Sequence, residues 1–148
     1  MTWAPHVTVA TVVEQDGRFL FVFENAEDRQ VYNQPAGHLE PEESLIEAAV
    51  RETLEETRWH VRPTALLSIG LYTAPANGIT YLRHLFVAEA IEEDPNLKLD
   101  DGIIEAVWLT REQLLERRPQ WRSPMVLQAV DDYLSGEQYP LELLRPRQ

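Results

Sequence analysis

Three glutamates, Glu52, Glu55 and Glu56, stand at spacings that bring their carboxylates together if the segment around them is helical. At about 100° per residue they fall within roughly one quadrant of the helix surface. Like charges so placed repel, and each i,i+4 pair costs a helix roughly a few tenths of a kcal/mol. A divalent cation removes that cost, and an oxygen-rich, carboxylate-dominated set suits Mg²⁺, Mn²⁺ or Ca²⁺. The chemistry such a site supports is metal-assisted attack on a phosphate. The competing reading is a solvated acidic helix face, as runs of charge commonly are.

The rest of the segment reads as the helix that would carry this patch. Ile46, Val50, Thr53, Leu54 and Thr57 form a stripe on the side away from the glutamates, the expected core face. Ala48 and Ala49 lie near the carboxylates and are expected to leave room for ions and substrate. Pro41 precedes the helix, where its fixed φ does no harm. Arg51 has acidic neighbours at Glu47 and Glu55, one turn to either side. A guanidinium so flanked can orient a carboxylate or form an ordinary helix ion pair.

The full pattern is more specific than the spacing of three glutamates. Gly37, then five residues, Glu43, then seven, Arg51-Glu52, two more, then Glu55-Glu56 resembles the signature box of the Nudix hydrolases. Two positions depart from it. Thr53 stands where the family has a bulky aliphatic residue, and Arg58 where it has a glycine. A glycine after a helix commonly takes the left-handed conformation, and an arginine there costs on the order of 1 kcal/mol. Either the helix ends differently or that strain is borne. Both changes concern packing and capping, and neither touches the acidic face.

Further segments resemble the NudJ-type bacterial nucleoside phosphatases within that family. They are Pro5-His6-Val7-Thr8-Val9-Ala10, Asn33-Gln34-Pro35-Ala36-Gly37-His38-Leu39-Glu40, Arg122-Ser123-Pro124, Ser135-Gly136 and Tyr139-Pro140-Leu141-Glu142. The resemblance implies an α/β/α sandwich with a mixed β-sheet between helices, spanning residues 1–148 as one domain. It implies hydrolysis of nucleoside tri- and diphosphates, and of the hydroxymethylpyrimidine diphosphate of thiamin synthesis, with release of orthophosphate. Mg²⁺ is the implied cofactor, with Mn²⁺ as a substitute. The implied metal ligands are Glu52, Glu55 and Glu56, helped by the Gly37 carbonyl, and Glu52 is the expected base. A Nudix hydrolase of ADP-ribose or dinucleoside polyphosphates is the alternative within the class. A non-catalytic nucleotide sensor is the alternative outside it, and the intact glutamates weigh against that reading.

Residues beyond the box complete the candidate site. Glu105, on a strand after an acidic loop, is a candidate further metal contact, and Glu43 either supports the metal shell or begins the helix. Arg83, a strand arginine within Tyr81-Leu82-Arg83-His84, is a candidate phosphate contact. His38, beside Gly37, is a candidate to lie over the phosphates. Tyr32 with Phe23 offers a face for base stacking, worth about 1–3 kcal/mol where made. Each of these has a plain structural alternative as a surface or core residue. The arginines from Arg111 to Arg122 are expected to form a solvated surface.

Composition sets the outer limits. With 25 acidic against 13 basic residues the formal charge is −12, which argues against a generic nucleic-acid binder. The same charge would repel a polyphosphate, so a substrate of that kind is expected to meet bound cations that reverse the local sign. There are no cysteines, which excludes disulfides and thiolate metal sites. No apolar run approaches a membrane span and no signal core opens the chain, so a cytoplasmic protein, monomer or homodimer, is expected.

The elements that must position these groups are legible in outline. Val7–Val13 and Phe19–Glu24 read as strands about a Gln15-Asp16-Gly17 turn. Val31–Gln34 is a short extended piece leading to the glutamate helix. Ala65–Tyr72 and Thr80–Ala90 read as a hairpin about Pro75-Ala76-Asn77-Gly78. Ile91–Asp101 reads as a solvated acidic loop, and Ile104–Leu109 as a strand. Thr110 with Gln113 makes a capping box for a short helix to about Arg117. Ser123-Pro124 opens a last helix that Gly136 closes.

Overall fold

In the computed structural model, which describes residues 2–148, seven strands and three α-helices form the mixed α/β architecture expected. The strands are β1 (His6–Gln15), β2 (Arg18–Ala26), β3 (Arg29–Asn33), β4 (Ala36–His38), β5 (Trp59–Thr73), β6 (Thr80–Glu93) and β7 (Ile103–Leu109). The helices are α1 (Leu45–Thr57), α2 (Arg111–Leu115) and α3 (Met125–Leu134), with short 3₁₀ turns at Arg118–Gln120 and Leu141–Leu143.

The sheet has the order β3-β2-β1-β6-β5, with β4 also on β1 and β7 also on β2. Asp16 and Gly17, both at positive φ, make the tight β1–β2 turn. Past that turn the hairpin partners separate after two paired positions. The freed edge of β1 is taken by β4, as Thr8↔His38, Val9↔Gly37 and Ala10↔Ala36. Its other edge runs parallel to β6, from His6↔Tyr81 to Val13↔Ala88. The sheet therefore opens into two wings, and α1 packs where they part, touching β1, β4 and β5 on one wing and β2 and β7 on the other.

Alternation along each strand divides the core between the two faces. Val9, Leu66 and Phe86 pack against Ala48 and Ala49 of α1. Ala10, Val12, Leu85 and Val87 face the opposite way, onto Leu114 of α2 and Val126, Ala129 and Val130 of α3. The orientation of α1 differs from the sequence reading. Its buried positions are Ala48, Ala49, Thr53 and Thr57, whereas Ile46, Val50 and Leu54 are only partly covered. The helix thus turns the flank bearing Glu52 and Glu56 toward the sheet, and the two alanines fill core rather than lining open space.

Other boundaries move by identifiable causes. β5 begins directly after α1, and three register shifts against β6 let this 15-residue strand bend. Ile91 to Glu93, read as loop, continue β6 through Trp59↔Glu93 and His60↔Glu92. The Thr110–Gln113 capping box is present and opens α2, which ends at Leu115. The Ser123 hydroxyl accepts the Met125 N–H as α3 begins. Tyr139 lies against the β5 edge, exchanging backbone hydrogen bonds with Leu66 at 2.8 and 2.9 Å.

Both departures from the signature box have structural explanations. Arg58 closes α1 in the left-handed region at φ 67°, its N–H donating to the Leu54 carbonyl at 2.8 Å, so the strain is borne. Its Nε is buried without a partner. Thr53 is fully buried, and its hydroxyl donates to the Ala49 carbonyl at 2.8 Å while meeting the buried Thr11 hydroxyl of β1 at 2.9 Å. A hydroxyl on each side satisfies both where the family carries hydrocarbon.

Two stability outcomes follow. Arg58→Gly should raise the unfolding free energy by about 1 kcal/mol, read from the urea midpoint; an unchanged or lower midpoint would contradict borne strain. Thr53→Val strands the buried Thr11 hydroxyl and should cost about 1–3 kcal/mol. Adding Thr11→Val should recover most of that loss in the same titration.

Candidate active site

The site is assembled around β4 and the first three turns of α1. Ser44 caps the helix by a reciprocal capping box, its hydroxyl accepting the Glu47 N–H at 3.1 Å while the Glu47 carboxylate accepts the Ser44 N–H at 2.9 Å. Glu47 is thereby committed to the cap and does not partner Arg51 as the spacing suggested. Glu43 takes that place, gripping the guanidinium through Nε at 2.5 Å and Nη2 at 3.0 Å. Arg51 also donates to Glu52 at 2.7 Å, to Glu55 at 3.3 Å and to the His38 carbonyl at 3.0 Å. This fork, with Glu40 at 3.4 Å, is a network and not an isolated surface pair.

Glu52 lies directly against Gly37. A Cβ at Gly37 would overlap the Glu52 carboxylate, so a glycine is required there by close approach. Glu52, at 14% side-chain exposure, and Glu55, at 39%, are joined by a residue the sequence reading left in a solvated loop. Carboxylate oxygens of Glu52, Glu55 and Asp100 lie within 4.8 Å of one another. Asp100 is held there by its N–H donating to the Glu55 carbonyl at 3.1 Å. The only signal for it in sequence was the acidity of its loop, because its distance along the chain hides the contact.

Glu56 occupies a deeper position beside this trio, its carboxylate accepting the Ala36 N–H at 3.0 Å. Burial pushes its pKa from the ordinary 4.5 to about 9, with Glu24, Glu52 and Asp100 adding repulsion. Burial likewise raises Glu52, against the opposing pull of Arg51. The Arg51 hydrogen bonds hold Glu43 below the usual carboxylate range. Carboxylates held above their usual range beside an all-oxygen trio have an unmet demand for positive charge. The donor set fits a hard divalent cation.

The remaining candidates fall at two places around this centre. His38 presents its carbonyl to Arg51 but its ring to the other face of the sheet, where Nε2 meets His6 Nδ1 at 3.1 Å and Tyr81 lies edge-on. Burial, then the neighbouring His6, lowers the His38 pKa. Arg83 lies on that same face and donates to Gln34 Oε1 at 3.1 Å; burial lowers its pKa to about 10. Tyr32 packs on Phe23 at 4.5 Å between ring centroids, with the Arg117 guanidinium 5.8 Å above its ring. Glu105 is exposed on β7, paired in register with Phe23 and outside the acidic trio. Of the arginines from Arg111 to Arg122, Arg118 and Arg122 are exposed, and two of the set are engaged in ion pairs. Arg111 pairs with Asp131 at 2.7 Å and Arg122 with Glu24 at 3.0 Å.

Comparison with known proteins bears directly on this arrangement. The NUDIX domain family model matches residues 3–129. The chain belongs to the Nudix hydrolases. Phosphatase NudJ of Escherichia coli K12 is 40% identical over 140 residues, spanning 95% of this chain and 90% of its own length. A NUDIX hydrolase structure from Nitrosomonas europaea matches this Nudix hydrolase with a TM-score of 0.94 at 43% identity, over 97% of this chain and 98% of that one. An ADP-ribose pyrophosphatase structure from Streptococcus suis has a TM-score of 0.69 at 13% identity, over 92% and 96% of the two chains. At that identity the likeness is one of fold alone. Among the described residues no helix is long and apolar enough to cross a membrane.

The elevated Glu56 pKa has a measurable consequence. With pKa about 9 folded against 4.5 unfolded, the native state retains a proton that the unfolded chain releases. Its stabilising contribution is complete below about pH 4.5 and is lost as pH rises through about 9. Glu56→Gln removes that dependence while an amide oxygen still accepts from Ala36. In EDTA, the melting temperature of the variant relative to the parent should climb steadily from about pH 5 to 9. A constant difference would show that Glu56 is not held protonated.

Proposed function

We propose that this Nudix hydrolase cleaves the phosphoanhydride bonds of nucleoside tri- and diphosphates and of hydroxymethylpyrimidine diphosphate, releasing orthophosphate, with Mg²⁺ as cofactor and Mn²⁺ as a substitute. The observation that carries the chemistry is the convergence of Glu52, Glu55 and Asp100 on one point beside the bare Cα of Gly37. The near full-length similarity to phosphatase NudJ supports the release of orthophosphate.

Glu52, Glu55 and Asp100 would hold the cation, with Glu56 and the Gly37 carbonyl as further ligands. When bound there, the ion supplies neutralisation of phosphate charge and acidifies a water. Glu52 is the proton acceptor in this reading. Arg51 occupies its Oε1 at 2.7 Å, which leaves Oε2 to take a proton from the attacking water. Its burial raises proton affinity, and the Arg51 hydrogen bond keeps the carboxylate in a single orientation. Arg51 spaces Glu52 and Glu55 from one another, and Glu43 anchors it. Arg83 and His38 face the substrate phosphates, and Tyr32, backed by Phe23, offers its ring to a base. Glu105, exposed on β7 and outside the trio, is the candidate for a further metal contact.

The test is a substrate panel of hydroxymethylpyrimidine diphosphate, GDP, GTP and ADP-ribose with Mg²⁺, assayed separately for orthophosphate and pyrophosphate. Orthophosphate from the first three is expected, and turnover of ADP-ribose alone would overturn the substrate reading. Glu52→Gln and Glu55→Gln should each lower kcat by roughly two orders of magnitude or more with melting temperatures near the parent's. Near-parental rates in both would remove these residues from the mechanism.

A further inference from the structure

Gln34 is almost completely buried, at 1% exposure, in the link between β3 and β4. A buried side-chain amide must satisfy a donor end and an acceptor end. Its Nε2 donates to the Val126 carbonyl in the first turn of α3 at 2.8 Å. A carbonyl can only accept, so this bond fixes the amide and turns Oε1 the other way, toward Arg83 Nη2 at 3.1 Å. Arg83 leaves β6 opposite Thr8 of β1, and β4 lies on the far side of β1. To reach Gln34 the side chain crosses β1, which brings its guanidinium about one strand spacing, roughly 5 Å, from the strand that carries Gly37.

Arg83 is held by a neutral acceptor, as Arg29, Arg117 and Arg147 are, but its acceptor is a buried side-chain amide. Arg51, Arg58, Arg62, Arg111 and Arg122 each meet a carboxylate. Among the described residues no carboxylate lies within 4.0 Å of Arg83. Its adjoining groove, about 160 Å³ between β5, β6 and α3, is lined in part by Asp132, but Asp132 is tied to Gln128 at 2.8 Å. Gln34 therefore holds the guanidinium by a neutral acceptor and leaves its charge and its other N–H donors uncommitted. A glutamate in the same place would cancel that charge, and it would also give up the bond to Val126, because an ionised carboxylate cannot donate to a carbonyl.

We propose that Gln34 is a positioning residue that fixes Arg83 as an uncancelled receptor for a phosphate of the bound substrate, on the sheet face opposite the acidic helix. This rests on the phosphohydrolase reading above and adds how that cation is kept available. Because Gln34 is itself oriented by Val126, the placement of Arg83 depends on the docking of α3.

The experiment is steady-state kinetics of the full chain with Mg²⁺ on a nucleoside diphosphate, for Gln34→Glu and Gln34→Met, alongside calorimetric binding of a methylene-bridged nucleoside diphosphate. Gln34→Glu should raise KM and the dissociation constant about tenfold or more while kcat stays within about threefold, because binding and not chemistry is lost. Gln34→Met, which loosens the arginine without cancelling it, should raise both constants by a smaller factor of about three to five. In an Arg83→Gln background, either change at position 34 should have little further effect on KM. If Gln34→Glu does not fold, the Met variant alone decides. A KM and dissociation constant within twofold of the parent's in the folded variants, or equal effects with and without Arg83, would overturn the proposal. Failure of the parent to hydrolyse any member of the panel would instead remove the phosphohydrolase reading.

Discussion

Crowding of carboxylates on and around one helix is the constraint around which this protein is organised. Glu43, Glu52 and Glu55 are drawn onto the single guanidinium of Arg51, and Glu56 and Asp100 crowd in from behind and beside it. Burial first, and then the neighbouring carboxylates, raise the proton affinity of Glu52 and Glu56, against the pull of Arg51 on Glu52. A helix whose own stability were the only criterion would turn those side chains to water. Here it turns them inward, and the rest of the fold tolerates that orientation.

The tolerance comes from the way the sheet divides. Because β1 leaves its hairpin partner after two paired positions and takes β4 instead, a helix can be lodged between wings while still packing its alanines on Val9, Leu66 and Phe86. The same departure brings Gly37 against Glu52 and Ala36 over Glu56. Apolar packing sets the depth of α1, backbone geometry supplies donors at that depth, and electrostatics acts only on what those two have placed. Energetically this is a core with a polar floor, in which the buried hydroxyls of Thr11 and Thr53 meet one another and that of Thr57 meets backbone groups.

What could be read from sequence was what is local. The helix, its acidic face and the glycine before it lie within a few turns of one another, so spacing alone located them. The hairpins and both capping signals near the end were legible for the same reason. The inward rotation of α1 was not, because ionisable residues are ordinarily assigned to solvent and the periodicity of Ile46, Val50 and Leu54 supports that assignment equally well. Asp100 was hidden by chain distance, since only the path of the β6–β7 connection brings it to Glu55. Of the two partners that spacing offers Arg51, Glu55 is met, whereas Glu47 has a competing task at the helix cap. Gln34 lies in a segment of family resemblance but sequence gives it no role, since one buried amide has no pattern.

The contact between Tyr139 and Leu66 bears on how copies of this protein behave in concentrated solution. It closes only the middle of β5, whose outer edge onward from Ser68 keeps open backbone groups and carries the exposed side chains of Ile69 and Leu71. Such a margin is a template for lateral pairing between molecules. The surplus of twelve negative charges counters it by mutual repulsion, a shield that salt thins over a Debye length of about 8 Å at physiological ionic strength. The acidity that complicates binding of an anionic substrate thereby keeps neighbouring molecules apart, and the tail segment around Tyr139 works as a strip of edging on the strand they would otherwise share.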